Sequence, residues 1–247
     1  MFPVLQLGRL ALQVPGLMII LGVFLGISLA EHRLPQDGLT EKQFYTILYL
    51  GLGMGLLGAR LFFVLNNLNI FTSSPRNIIS LDTSLLDPFA GMALAGFSIL
   101  IYGYRKKLSF WQTMDVFTPA LAVFTIFLGL SHMASGDAFG SPTSLPWGID
   151  LWGEKRHPSQ VYEIIASSII LLLLWSKLGR QYTPGTTFLY FATLTAGAHL
   201  FLEAWRGDTV SMVAGIRMTQ LIAWLSMSIG LFMIDRWIVT RVSRDGG

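Results

Sequence analysis

Seven stretches of about twenty mostly apolar residues divide this chain, near 10–30, 43–66, 85–104, 114–131, 158–176, 185–205 and 214–235. A run of that length matches the roughly 30 Å hydrocarbon core of a bilayer. Backbone N–H and C=O groups find no water there and must bond within their own segment, so each run predicts a helix. The expected fold is all-α: a polytopic membrane helical bundle of about seven transmembrane helices, with residues 1–247 forming a single transmembrane domain. The charged fraction agrees, at 13% against about 25% in soluble domains. There is no cysteine, which excludes disulfides, thiolate metal sites and a cysteine nucleophile. Any thiol chemistry must draw its sulfur from a substrate. The first run lacks a charged leader and a clear small-x-small cleavage site, so it reads as a retained helix.

Orientation follows from where the cations fall. Threading seven spans puts Arg9, Arg76, Lys155, Arg156, Arg206 and Arg217 on one side, six in all. The other side carries ten: Arg33, Lys42, Arg105, Lys106, Lys107, Lys177, Arg180, Arg236, Arg241 and Arg244. The richer side is expected to be cytoplasmic, which places the N-terminus outside and the C-terminus inside. The net charge of +3, set between apolar runs, suits anionic lipid headgroups and not nucleic acid. The longest polar connection, 132–157, holds Gly136, Gly140, Pro142, Pro146 and Gly148 and would lie on the outer, periplasmic side. Connections of that length are usually functional. Gly51, Gly53, Gly55 and Gly58 in the second run are spaced for close approach of a neighbouring helix.

Ionisable groups at membrane depth are costly, by roughly 2.5–3.5 kcal/mol on insertion scales, and are expected to face the interior. His199, Glu203 and Arg206 follow i, i+4 and i+7 spacing and are expected on one helical face. That stripe would unite a proton acceptor with an anion contact, or form a structural ion pair. Arg60, between the small stems of Gly58-Ala59 and the apolar Leu61, is placed to fork onto a phosphate. The alternative for Arg60 is pairing with Glu163, Glu203 or Asp115. The segment Arg156-His157-Pro158-Ser159-Gln160-Val161-Tyr162-Glu163 opens the fifth run. Free N–H groups at such a helix start favour an anion, and simple capping by Ser159, Gln160 and Glu163 is the other reading. His132 and Asp137 border the long loop. Asp115 reads as a helix-dipole partner at the start of its own span. Trp147, Trp152, Trp205 and Trp237 read as interfacial anchors.

The octapeptide 156–163 resembles the Arg-His-Pro-Ser-Gln-Leu-Tyr-Glu signature of the prolipoprotein diacylglyceryl transferase family. Three further segments match in order. Gly51 to Asn66, with Gly58-Ala59-Arg60, resembles the family's glycine-rich second span. Gly136-Asp137-Ala138-Phe139-Gly140 resembles its Asn-Gly-Glu-x-x-Gly stretch, and Glu203-Ala204-Trp205-Arg206 its Glu-Phe-x-Arg. The resemblance covers nearly the whole chain. It implies a multi-pass protein of the bacterial plasma (inner) membrane. The implied activity moves diacylglyceryl from the phospholipid phosphatidylglycerol to a lipobox cysteine thiol of a prolipoprotein, in lipoprotein biosynthesis. The lipid and the signal peptide are the implied partners, and no metal or cofactor is implied. Carried over residue by residue, the implied substrate-binding set is Arg60, Arg156, His157, Ser159, Gln160, Tyr162, Glu163, Asp137, Gly140, Glu203 and Arg206.

Departures from the family pattern fall on its chemistry. The family's His-Gly-Gly before the third span corresponds to Phe89 or Ala95 here, depending on the gap. Its Gly-Arg-x-Gly-Asn becomes Leu128-Gly129-Leu130-Ser131-His132, with Gly129 for the arginine and His132 for the asparagine. A first-span tyrosine becomes Pro15, and a sixth-span arginine becomes His199. Two expectations follow. One is an active, divergent transferase in which His199 and His132 are the catalytic candidates, histidine being the side chain whose charge changes near neutral pH. The other is a catalytically inactive relative that keeps the phospholipid site and serves as a lipid-binding subunit or assembly partner of another membrane protein.

Overall fold

The structure, a computed structural model, describes residues 4–7, 10–32, 34, 39–73, 86–175, 183–208, 212–213 and 216–245. Leu85, Ser176, Ala214 and Gly215, at the ends of expected spans, lie outside these residues, as do Arg9, Arg33, Arg76, Lys177 and Arg180 of the charge count.

A helix stands at each of the seven apolar runs. They are α1 (Val14–Glu31), α2 (Glu41–Asn66), α4 (Pro88–Lys106), α5 (Phe110–Ser135), α6 (Ser159–Trp175), α7 (Thr186–Leu202) and α8 (Met218–Asp245), with a short α3 (Leu68–Ser73) after α2. Four are long and apolar enough to cross a membrane: α1, α2, α5 and the Met218–Trp237 part of α8. The others are 19, 17 and 17 residues long. Large apolar side chains such as Ile20, Phe24, Leu52, Leu56, Leu172 and Phe232 stand more than half exposed, as a hydrocarbon solvent requires. The chain is an all-α membrane protein, with three small hairpins as its only strands among the described residues.

The first helix starts later than its apolar run. Residues Leu10–Gln13 form β2, paired antiparallel with β1 (Val4–Leu7) from Val4↔Gln13 to Leu7↔Leu10. Apolarity alone does not distinguish this short strand from a helix. Pro15 sets the boundary, because its fixed φ and missing N–H suit a first turn.

Two compact units divide the fold: residues 38–110, and residues 1–37 with 111–247. In the first, a capping box joins Thr40 and Gln43 at the start of α2. Asp87 caps α4, its side chain accepting from Ala90 N at 2.9 Å. Glycine brings the two helices together as expected. A Cβ on Gly91 would stand 2.8 Å from Gly55 O, and one on Gly58 would stand 2.7 Å from Leu94 Cβ. Gly53, by contrast, faces open space.

In the second unit, α1 lies against α5, where a Cβ on Gly26 would stand 2.7 Å from Ala120 O. Ala122, Ile170, Leu174 and Phe191 form the core where α5, α6 and α7 meet. The Asp115 expectation needs correction. The residue sits in the second turn of α5 and caps a different helix: its carboxylate accepts from Gly185 N and from Phe188 N, the latter at 2.8 Å. The N-cap of α7 is Gly185 itself, at φ 90 and without a side-chain bond of its own. The four unpaired N–H groups of that helix start are therefore partly satisfied from across the bundle.

Candidate active site

The long connection is organised around Gly140. Segment 139–143 runs between segments 155–157 and 205–207 through bridges Pro142↔Arg156 and Gly140↔Arg206. Ser141 N donates to Trp205 O at 2.7 Å, Gly207 N to Phe139 O at 2.8 Å, and His157 N to Ser141 O at 3.0 Å. A Cβ on Gly140 would collide with the His157 carbonyl, so only glycine fits between these backbones. The rest of the connection folds into a hairpin of β3 (Ile149–Leu151) and β4 (Glu154–Arg156).

Most of the 156–163 octapeptide fastens this loop to the start of α6. Arg156 donates through Nε to Leu151 O at 3.1 Å, through one terminal nitrogen to Gly140 O at 3.3 Å, and through the other to Glu154 Oε2 at 2.6 Å. Its guanidinium also covers the Phe139 ring at 5.0 Å. Ser159 Oγ donates to Ala138 O, and Gln160 Nε2 to Asp137 O at 2.9 Å. Gln160 is buried, and its Oε1 has no hydrogen-bond partner among the described residues. Tyr162 OH accepts from Trp147 Nε1 at 2.9 Å, and His157 meets the Tyr162 ring edge-on. Pro158 O accepts from Val161 N and Tyr162 N, so Pro158 closes the first turn from just outside it. Trp152 Nε1 donates to Gly136 O at 3.3 Å. Two of the expected interfacial tryptophans thus bond within the site region, Trp147 from the loop to α6 and Trp152 across the loop itself.

Glu163 points the other way. Its Oε2 lies 3.0 Å from His132 Nδ1, with the side chains 12% and 25% exposed. One turn into α6, it pairs with the last full turn of α5.

Ala138, Ser159, Glu163, His199, Leu202 and Arg206 line a small cavity of about 10 Å³. His199, Glu203 and Arg206 do not share one helical face, contrary to their spacing. Helix α7 ends at Leu202, Glu203–Trp205 is a 3₁₀ turn, and Arg206 is extended. His199 is exposed while Glu203 is 3% exposed. Glu203 is buried in the protein, where Oε1 has no partner among the described residues and Oε2 lies 3.8 Å from Arg206 Nε. Arg217 donates to the Glu203 carbonyl.

Arg206 has a closer partner that spacing did not identify. Asp208 accepts from its Nε at 3.0 Å and from a terminal nitrogen at 2.7 Å, a bidentate pair. The hydrogen bond to Asp208, against the cost of burial and with the charges of Asp208, Glu203 and Glu163, raises the arginine above its ordinary value. Burial pushes the Asp208 carboxyl up, but the hydrogen bond and charge of Arg206 outweigh it and hold the carboxyl below its usual range.

Asp137 is exposed and contributes its backbone carbonyl to Gln160. Arg60 belongs to the 38–110 unit, its guanidinium 5.8 Å from the Phe71 ring. In that same unit Phe89 lines an apolar groove of about 590 Å³ with Gly58, Leu61 and Phe97, and no histidine lies in the α2 or α4 sequence.

Residues 3–236 match the sequence profile of the family described as prolipoprotein diacylglyceryl transferase. Among curated relatives, the phosphatidylglycerol–prolipoprotein diacylglyceryl transferase of Finegoldia magna is 27% identical over 84% of this chain and 84% of its own. The protein of the same name from Thermosynechococcus vestitus is 26% identical over 94% and 91%, and that from Clostridioides difficile 26% over 87% and 87%. A match over nearly all of the sequence places the chain in the prolipoprotein diacylglyceryl transferase family.

Proposed function

We infer that this protein transfers the diacylglyceryl group of phosphatidylglycerol to a lipobox cysteine thiol of a prolipoprotein, as its relatives' names state for them. The observation that carries the reading is the convergence of Ala138, Ser159, Glu163, His199 and Arg206 on one cavity from three segments: the long loop, the start of α6 and the end of α7. The reaction expels a phosphate ester from carbon. It needs a cation where that negative charge collects and a thiolate as nucleophile. Arg206 is assigned to the phosphate, with His199 beside it. Gln160 Oε1 and Glu203 Oε1, buried acceptors without partners among the described residues, are assigned to hydroxyl or N–H donors of the substrates. Ser159, Tyr162, His157, Arg156, Asp137 and Gly140 shape the loop that carries the site. Arg60 is assigned to a phospholipid contact of its own unit.

The proposed setting is a bacterial plasma membrane crossed seven times by one transmembrane domain. The N-terminus and the 132–157 loop face outward, and the C-terminus faces the cytoplasm. Lipid and signal peptide would then meet at the outer leaflet. Complementation tests the reading: expression in a transferase-depleted strain should restore growth and lipoprotein maturation, and failure at normal expression counts against it.

A second reading, a non-catalytic phospholipid-binding partner of another membrane protein, is favoured by one feature. The Arg206 fork is closed on Asp208, beside a cavity with room for about one water. Stable co-purification with another membrane protein, without turnover, would favour it.

A further inference from the structure

We propose that His132 is the general base that deprotonates the substrate thiol, with Glu163 as its positioning residue. The proposal rests on the transferase reading above and names the group that reading leaves open. His132 directs Nδ1 at Glu163 Oε2, 3.0 Å away. A carboxylate on Nδ1 fixes the proton there and leaves Nε2 as the acceptor, the logic by which histidine bases are oriented in acyl-transfer enzymes. Nε2 makes no hydrogen bond among the described residues, and the side chain keeps 25% of its surface open. Glu163 also lines the cavity with Arg206, so the dyad borders the assigned phosphate contact.

The charged groups facing His132 are Glu163 from α6, and Asp208 with its partner Arg206 beyond α7. Asp208 feels the charge of His132, and Arg206 that of Glu163. Of these, Glu163 is the carboxylate in contact with the ring. His199 is the other histidine on the cavity, but it is exposed and no carboxylate bonds to it among the described residues, so nothing fixes its tautomer.

Nε2 takes the thiol proton, and the sulfur lone pair forms a C–S bond to the glyceryl carbon that carries the phosphate. That carbon's C–O bond breaks, and its electron pair leaves with glycerol phosphate. The imidazolium then gives its proton to the departing phosphate oxygen, which restores the neutral ring.

The test is the pH dependence of transfer by the full-length protein in phosphatidylglycerol vesicles, with a lipobox peptide as acceptor. Wild type should lose kcat/KM in acid as the ring takes a proton, then level off. His132→Ala should lose about 100-fold or more at neutral pH. Its remaining rate should climb about tenfold per pH unit toward the thiol's own ionisation, about 8.5 for free cysteine, and added imidazole should raise it. Glu163→Gln should lower kcat and leave KM for the lipid unchanged. His132→Asn, close in shape, guards against misfolding and should show the same climb. Active wild type with a His132→Ala or His132→Asn profile parallel to its own overturns the dyad and leaves the transferase reading intact. Wild type without transfer overturns both.

Discussion

His132 and Glu163, 31 positions apart in sequence, meet Nδ1 to Oε2 at 3.0 Å where the end of α5 crosses the start of α6. Gly129 lets the helices meet this closely: a Cβ there would stand 2.8 Å from Ile164 Cγ1 and 3.6 Å from Glu163 Cγ. The position where the family pattern has arginine is therefore packed shut in this chain, and the histidine one turn later takes up the neighbouring glutamate. Gly129→Ala should push α6 away and lengthen the His132–Glu163 contact. Its expected effect is a 10-fold or greater loss of kcat/KM, with about 1–3 kcal/mol of stability, read by transfer rate and thermal unfolding.

Gly140 is the tightest point of the loop. Gly140→Ala sets a methyl group against the His157 carbonyl, a backbone atom that cannot turn aside. The variant should lose the backbone bonds of Ser141 and Gly207 together, seen as faster amide exchange across 139–143 and 205–207, and should transfer no lipid.

Asp208 holds Arg206 in two hydrogen bonds. Its carboxyl is held below the ordinary value of 3.8, so its stabilising contribution is complete above that pH. The contribution is lost as pH falls through the lowered value. Asp208→Asn should flatten the decline of melting temperature between about pH 4 and the acid limit of folding. At neutral pH the same change loosens the fork for a phosphate, and half-saturation by phosphatidylglycerol should fall several-fold. An unchanged half-saturation would separate Arg206 from the lipid phosphate.

Asp115 tests the far end of the bundle. Asp115→Ala removes two charge-assisted acceptors from the start of α7, at a cost of about 2 kcal/mol. Thermal unfolding should register the loss. Because Asp115 lies near the opposite end of α5 from His132, kcat at a temperature where the variant is folded should stay near the wild-type value.

The helices were legible because lipid imposes one simple demand, and each apolar run between 10 and 235 contains a helix. The site was legible only where local sequence determines it. Ser159 and Gln160 bond back across the 132–157 connection to Ala138 and Asp137, and Gly140 packs against His157, so their contacts join segments that the sequence motifs single out. Arg156 bears a charge that suits a phosphate, yet its donors fasten Leu151, Gly140 and Glu154. Sequence does not record which of several oxygens a long side chain reaches. The His199, Glu203 and Arg206 stripe dissolved because α7 tightens into a 3₁₀ turn at Glu203, and helical spacing has no meaning past that point. Asp115 on α7 and Asp208 on Arg206 depend on tertiary contact or on extended backbone, for which periodicity gives no signal.

Lipid transfer to a peptide thiol is the decisive measurement. Purified full-length protein in phosphatidylglycerol vesicles is incubated with a lipobox peptide, and the peptide's mass is followed. Gain of one diacylglyceryl group on the cysteine, absent when that cysteine is replaced by serine, is the predicted result. An unmodified peptide, under conditions where the Finegoldia magna relative modifies it fully, would rule out diacylglyceryl transfer by this protein.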